Sequence, residues 1–209
     1  MVGRQRVWAG EAPLVLASNS ASRQALMAAA GLDIEIAPAE IDERELEALH
    51  LAQAKSPESL AAVLAEAKAV AVSGKRLDAY VIGADQTLTV EGRLLHKADS
   101  FLAAASTLSA LGGRSHTLTS AFAVARGGRA LGGDEDSALL RMRPLGPDQI
   151  AAYLAFVGPG VLSSVGAYQL EGMGMHLFEK VEGDHSTVLG LPMLKLLTWL
   201  RREGLLALR

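Results

Sequence analysis

The sequence predicts an α/β protein in which a mixed sheet is surrounded by helices, arranged as two lobes with one cleft. Three observations predict it. The chain opens as strand, helix, strand within its first segment. Short apolar runs then alternate with amphipathic helical stretches along its length. A long alternating run closed by Gly127-Gly128 adds an antiparallel hairpin, which makes the sheet mixed.

Leu14 to Ala17 reads as a short buried strand running into Ser18-Asn19-Ser20. Arg23 to Ala30 is built of good helix formers and is closed by Gly31 at a C′-like position. Ile34 to Ala37 alternates as a second strand before Pro38. From Glu58 to Val72, Leu60, Val63, Leu64, Ala67 and Ala71 recur at helical spacing, with Ser56-Pro57 as the start and Gly74 as the stop. Tyr80 to Ala84 is a buried strand that delivers Asp85 at its C-terminal end, and Glu91-Gly92 turns the chain toward Leu94-Leu95.

Phe101 to Leu111 is an amphipathic helix ended by Gly112-Gly113. His116 to Arg126 is a long strand, and Ala138 to Arg143 is its return. Pro147 to Val157 is helical and is broken by Gly158-Pro159-Gly160. Met175 to Val181 reads as a strand, and Leu191-Pro192 opens a helix through Arg202.

Composition removes several function classes. Half of the 209 residues (50%) are hydrophobic and 21% are charged, enough for a sizeable core and too apolar for a disordered chain. A formal charge of −3 gives no whole-molecule attraction to nucleic acid or anionic membrane, so cations for phosphate must be gathered locally. The absence of cysteine excludes disulfides, thiolate metal sites and cysteine nucleophiles. No signal core or membrane-length apolar run is present, so the expectation is a cytoplasmic protein without nucleic-acid or membrane partners.

Several segments could carry chemistry. The strand-to-helix turn Ser18-Asn19-Ser20-Ala21-Ser22-Arg23 combines a helix N-terminus, hydroxyls and a guanidinium, which suits a phosphate; ordinary capping explains the serines equally well. Asp85 at a strand end could bind a divalent cation or accept a proton from water, or simply form a turn. The acidic run Glu40 to Glu47 could place a carboxylate opposite Asp85, or be a solvated face or the first turn of a helix. Lys68 and Lys97 raise the same choice between site and surface. Glycines on both sides of Glu171, in Gly166 to Gly174, would let backbone approach a ligand. His50, His96, His116, His176 and His185 show no close metal spacing and read mostly as surface or packing residues.

Taken together and in order, these segments resemble the Maf family of nucleotide pyrophosphatases. The matching stretches are Leu14–Arg23, Glu40–Glu43, Leu64–Ala69, Val81–Thr87, Gly166–Gly172 and Val188–Pro192, which span nearly the whole chain. The resemblance implies an elongated mixed sheet with a cleft between two lobes, and residues 14–209 as a single domain after an extension of residues 1–13. It implies hydrolysis of a nucleoside triphosphate to the monophosphate and pyrophosphate with a divalent cation, Mg²⁺ with Mn²⁺ as the alternative. Arg23, Lys68 and Lys97 match the phosphate-binding cations, with Ser18 and Ser20 beside them. Glu43 and Asp85 match the acidic pair that would hold metal, and Asp85 stands in the position of the proton acceptor. Sequence leaves a homodimer open.

Ser22, Gln86 and Glu171 bear on the base of the nucleotide. The family commonly has Ser-Pro-Arg-Arg where this chain has Ser20-Ala21-Ser22-Arg23. Gln86 and Glu171 look like the branch associated with 7-methyl-GTP rather than the dTTP/UTP branch, whereas Ser22 matches neither. A carboxylate only accepts hydrogen bonds, so Glu171 complements the N1–H and N2–H₂ edge of guanine. The competing readings are an inosine/xanthosine triphosphate pyrophosphatase and a non-catalytic nucleotide-binding regulator of cell division.

Overall fold

The computed structural model describes residues 6–53 and 55–208. The first five residues of the expected N-terminal extension lie outside that range. Residues 7–9 run beside the C-terminal segment: Ala9 N donates to Leu205 O and Ala207 N to Val7 O, both at 2.9 Å.

Seven strands among the described residues form one sheet: β1 (Leu14–Leu16), β2 (Glu35–Ile36), β3 (Tyr80–Val90), β4 (Arg93–Leu95), β5 (Ser115–Arg126), β6 (Arg129–Met142) and β7 (Phe178–Glu182). The order is β2-β1-β3-β5-β6-β7, with β4 paired to β3. β1 is parallel to both β2 and β3, and the remaining pairs are antiparallel. The sheet is mixed, as the strand-helix-strand opening and the later hairpin require.

Two apolar cores share the long strands. Ile82 and Ala84 of β3 and Phe122 and Val124 of β5 pack with Leu16, Met27, Leu196 and Trp199, drawn partly from helices α1 (Ala21–Ala29) and α7 (Met193–Arg202). Further along the same strands, Leu88 and Leu118 pack with Leu108 and Leu111 of α4 (Phe101–Leu111) and with Ile150 and Leu154 of α5 (Pro147–Val157). Between the cores a polar belt crosses the sheet, with Asp85, Gln86 and Thr87 of β3 opposite Ala121, Ser120 and Thr119 of β5.

The other sheet face is covered by α3 (Leu60–Lys75) through an interface of small residues. Ala61, Ala65 and Ala69 pack on Ala121, Ala123 and Ala125. Gly83 completes the contact, because a Cβ there would lie 2.1 Å from Ala65 O and 2.6 Å from Ala69 N. Lacking that atom, the helix backbone rests directly on β3.

Several boundaries differ from the sequence expectation. β3 does not end before Asp85; its ladder with β5 continues to Thr89, so Asp85 stands mid-strand. α3 runs through Gly74 to Lys75, and its N-cap is Ser59. The return strand β6 begins at Arg129, well before Ala138. The segment Met173–Leu177 is 3₁₀-helical, and only Phe178–Glu182 is strand. The acidic run resolves into α2 (Glu43–Ala52), capped by Asp42 whose side chain accepts from Glu45 N, with Glu43 and Glu45 in its positive first turn. A short helix, α6 (His185–Val188), has no counterpart in the sequence reading.

Candidate active site

The cleft lies where the sheet edge is interrupted. β3 keeps β1 as its neighbour only through Ile82 and gains β4 only from Leu88. Between those points β3 has a strand on one side only, and α/β folds place ligands at such switches of neighbour. A cleft of about 1220 Å³ opens there. All ten sequence-predicted site residues line it: Ser18, Ser20, Ser22 and Arg23, then Glu43, Lys68, Asp85, Gln86, Lys97 and Glu171.

Arg23 is fixed against the open edge of β3. Its Nη1 donates to Ala84 O at 3.0 Å and to Ser18 Oγ at 3.1 Å, and its Nε donates to Gly190 O at 2.7 Å. Gly190 adopts φ +99, a region that favours glycine, and a Cβ there would come within 3.5 Å of Arg23 Nη2. The guanidinium is thus aimed by three acceptors bonded through Nε and Nη1. Burial lowers its pKa from the ordinary value, while the carboxylates of Asp85 and then Glu43 act in the opposite sense. It remains a cation at neutral pH.

The serine turn combines both meanings the sequence allows. Ser20 is the N-cap of α1, accepting from Arg23 N at 3.4 Å, and Ser18 Oγ accepts from Ser20 N at 3.2 Å. The same hydroxyls line the cleft with the first turn of a nine-residue helix behind them. Capping and ligand binding are compatible here, since a hydroxyl that accepts from backbone keeps its own proton to donate.

Lys68 joins the two acidic residues. Its Nζ lies 2.5 Å from Asp85 Oδ1 and 2.8 Å from Glu43 Oε1. The Lys68 and Asp85 side chains are each only 11% exposed, whereas Glu43 is 54% exposed at the start of α2. The close seating of α3 on Gly83 brings Lys68 to Asp85, two residues further along the same face of β3. Lys97 is exposed on the rim, two residues beyond β4.

On the opposite wall, Ser22 Oγ donates to Glu171 Oε1 at 2.9 Å. Gln86 points to the other face of β3, where its amide nitrogen donates to Ser120 Oγ, Thr187 O and Val188 O, each at 3.0 Å. Its donors are committed to the protein, and the hydrogen-bonding group left to offer a ligand is its oxygen.

Sequence reasoning missed the supports of this site. Gly83 had a signal, since glycine inside an apolar strand often marks close backbone approach. Ser120 and Thr187, which hold Gln86, had none. His116, one of the histidines read mostly as surface or packing residues, is buried and bonds through Nε2 to Tyr168 OH at 2.7 Å, which ties β5 to the loop that carries Glu171. Burial pushes His116 down to about 4 and raises the Tyr168 hydroxyl above its usual range.

A fixed guanidinium, an ammonium shared by two carboxylates and a serine-lined helix start meet in this cleft, and groups of this chemistry suit phosphate oxygens. The chain belongs to the Maf family: residues 13–203 match the family described as Maf-like protein. A "nucleoside triphosphate pyrophosphatase" from Nitrobacter hamburgensis is 50% identical over 97% of this chain and 99% of its own length. A "7-methyl-GTP pyrophosphatase" from Rhizobium etli is 52% identical over 91% of this chain and 96% of its own. One from Mesorhizobium japonicum is 48% identical over 91% and 96%. A solved HAM1 protein from Coxiella burnetii covers 79% of this chain and 98% of its own at 16% identity and TM-score 0.37, too distant to inform the fold. No helix among the described residues is long and apolar enough to cross a membrane.

Proposed function

We propose that this chain is a nucleoside triphosphate pyrophosphatase that releases pyrophosphate and a nucleoside monophosphate. The observation that carries the reading is the single cleft in which Arg23, Lys68 and Lys97 face Glu43 and Asp85. The names of relatives near half identity over full length support the reaction.

The fit of a divalent cation can be judged from the donor set. No cluster of three or more His, Asp or Glu side chains suited to a metal occurs among the described residues. Two carboxylates facing one cationic group do occur. Mg²⁺ is commonly held by one or two carboxylates together with substrate phosphates and water, so Glu43 and Asp85 suit it and would hold it. When bound, such a cation neutralises the triphosphate and eases departure of pyrophosphate.

The chain's own residues supply the rest. The first turn of α1, Ser18, Ser20, Arg23 and Lys97 bind the phosphates, with Lys68 beside them. Asp85 takes a proton from the attacking water, whose oxygen bonds to the α-phosphorus. The bond from that phosphorus to the bridging oxygen breaks, and pyrophosphate leaves with the electron pair. No covalent intermediate on the enzyme is needed.

For the base, Glu171 and the Gln86 oxygen both offer acceptors. Acceptors match the N1–H and N2–H₂ edge of guanine, and the positive charge of an N7-methylated ring strengthens the contact with Glu171. This favours guanine-type nucleotides, 7-methyl-GTP among them, over dTTP and UTP. The reading further takes residues 14–209 as one domain.

The test is pyrophosphate release over canonical, N7-methylated and deaminated triphosphates, with Mg²⁺ and with EDTA. Release from guanine-type substrates, abolished by EDTA and by Asp85→Asn, is expected. A panel led by dTTP and UTP removes the base assignment, one led by ITP and XTP moves the enzyme to deaminated nucleotides, and no release from any nucleotide removes the reaction.

A further inference from the structure

The ammonium of Lys68 stands in the place that the reading above assigns to a cation, between Glu43 Oε1 at 2.8 Å and Asp85 Oδ1 at 2.5 Å. We infer that Lys68 keeps this carboxylate pair closed to a divalent cation until a triphosphate offers the ammonium another partner, so that cation and nucleotide bind interdependently through one side chain. The inference rests on the proposed metal-dependent reaction and adds an order and a cause to it.

Three features support it. The first is occupancy. A hard cation needs carboxylate oxygens at close range, and the oxygens nearest the gap already face an ammonium, whose charge would repel the newcomer.

The second is confinement. The Lys68 side chain is only 11% exposed, so its ammonium has little bulk water around it and draws its partners from the cleft. Lys68 belongs to the same helix as Ala65 and Ala69, which pack on the sheet and hold that helix close against Gly83. Only the cleft is open to it, and the ammonium needs an anion there. A long stem with a rotatable three-donor head suits such an exchange of partners.

The third is charge balance. Glu43 and Asp85 are set against Lys68 and Arg23, and the Arg23 guanidinium senses both carboxylates. A divalent cation alone would enter beside two cations, Lys68 and Arg23. A triphosphate alone would enter beside two carboxylates, Glu43 and Asp85. Arriving together, each offsets the repulsion of the other. Interdependence of this kind is commonly worth a factor of about 5–150 in affinity, and by linkage it is equal in both directions.

Mn²⁺ binding without turnover tests this. The free Mn²⁺ electron-spin signal is titrated against the whole chain, alone and with the α,β-methylene analogues of GTP and UTP, with the Mn²⁺ held by each analogue in the absence of protein measured and subtracted. Wild type should bind Mn²⁺ at least about tenfold more tightly when an analogue is present. Lys68→Met should bind it without analogue more tightly than wild type does, and the factor added by the analogue should be smaller than in wild type, since only phosphate ligation then remains. Lys68→Gln, which keeps hydrogen-bond donors toward the buried Asp85, should behave alike and guards against misfolding of the methionine variant. Adding Glu43→Gln to either should remove the gain.

Equal Mn²⁺ affinity of wild type with and without analogue overturns the inference, as does unchanged affinity in both Lys68 variants. If hydrolysis is intact in either case, only the role of Lys68 falls. No Mn²⁺ binding under any condition removes the metal-dependent reading and this inference with it.

Discussion

Ser22 Oγ donates a 2.9 Å hydrogen bond to Glu171 Oε1, which ties the first turn of α1 to a loop 149 residues later and sets one carboxylate oxygen against the cleft. Glu171→Gln should replace an acceptor with a group that also donates. We expect kcat/KM for GTP and 7-methyl-GTP to fall about tenfold or more relative to UTP, because a mismatched polar contact costs roughly 1–3 kcal/mol. Thermal stability should hold, since Glu171 is exposed. A parallel fall for every nucleotide would show that Glu171 does not read the base.

Gly83→Ala should harm the site from a distance. Its new Cβ would meet Ala65 O at 2.1 Å and Ala69 N at 2.6 Å, both backbone atoms that yield only if α3 moves. Overpacking of this kind costs about 1–3 kcal/mol or more. Displacing α3 also draws Lys68 from Asp85, so pyrophosphate release should fall along with the urea midpoint. A fully active variant with an unchanged midpoint would mean that α3 has slack the close packing does not suggest.

Arg23→Lys keeps the charge but loses the fork that bonds Ala84 O, Ser18 Oγ and Gly190 O. KM should rise at least about tenfold in steady-state kinetics, consistent with loss of charge-assisted hydrogen bonds worth roughly 1.5–3 kcal/mol each. Unaltered kinetics would reduce Arg23 to a structural brace.

His116 gives stability an acid-side dependence. Its pKa is lowered from 6.5 to about 4 by burial, so the folded chain keeps the ring neutral while the unfolded chain protonates it. The unfolded state therefore binds more protons between these values. The stability contribution is complete above pH about 6.5 and is lost as pH falls toward 4, by about 3 kcal/mol in all. Urea unfolding at pH 7, 5.5 and 4.5 should show a shallower decline in His116→Gln than in wild type, because carboxylate protonation is common to both. Identical slopes would exclude His116 as the source.

The fold class was legible because strand and helix periods are local, and β1, α1, α4 and β5 fall close to where spacing puts them. Errors gathered where local pattern and tertiary ladder conflict. Asp85-Gln86-Thr87 reads as a polar strand end, yet Ala121, Ser120 and Thr119 carry the ladder through it. The first half of β6 hides behind Gly132-Gly133 and the acidic run Asp134 to Asp136. The site residues came through their resemblance to a family pattern, segment by segment. Their convergence could not be read from sequence, because it depends on α3 resting on Gly83 and on Ser120 and Thr187 holding Gln86.

Attack of water on the α-phosphorus with loss of pyrophosphate is the step that defines the proposed reaction. Turnover in ¹⁸O-labelled water, followed by mass analysis of both products, tests it most directly. One ¹⁸O is expected in the nucleoside monophosphate, none in pyrophosphate, and no labelled product from Asp85→Asn. Label in pyrophosphate, or release of orthophosphate and nucleoside diphosphate instead, would contradict it.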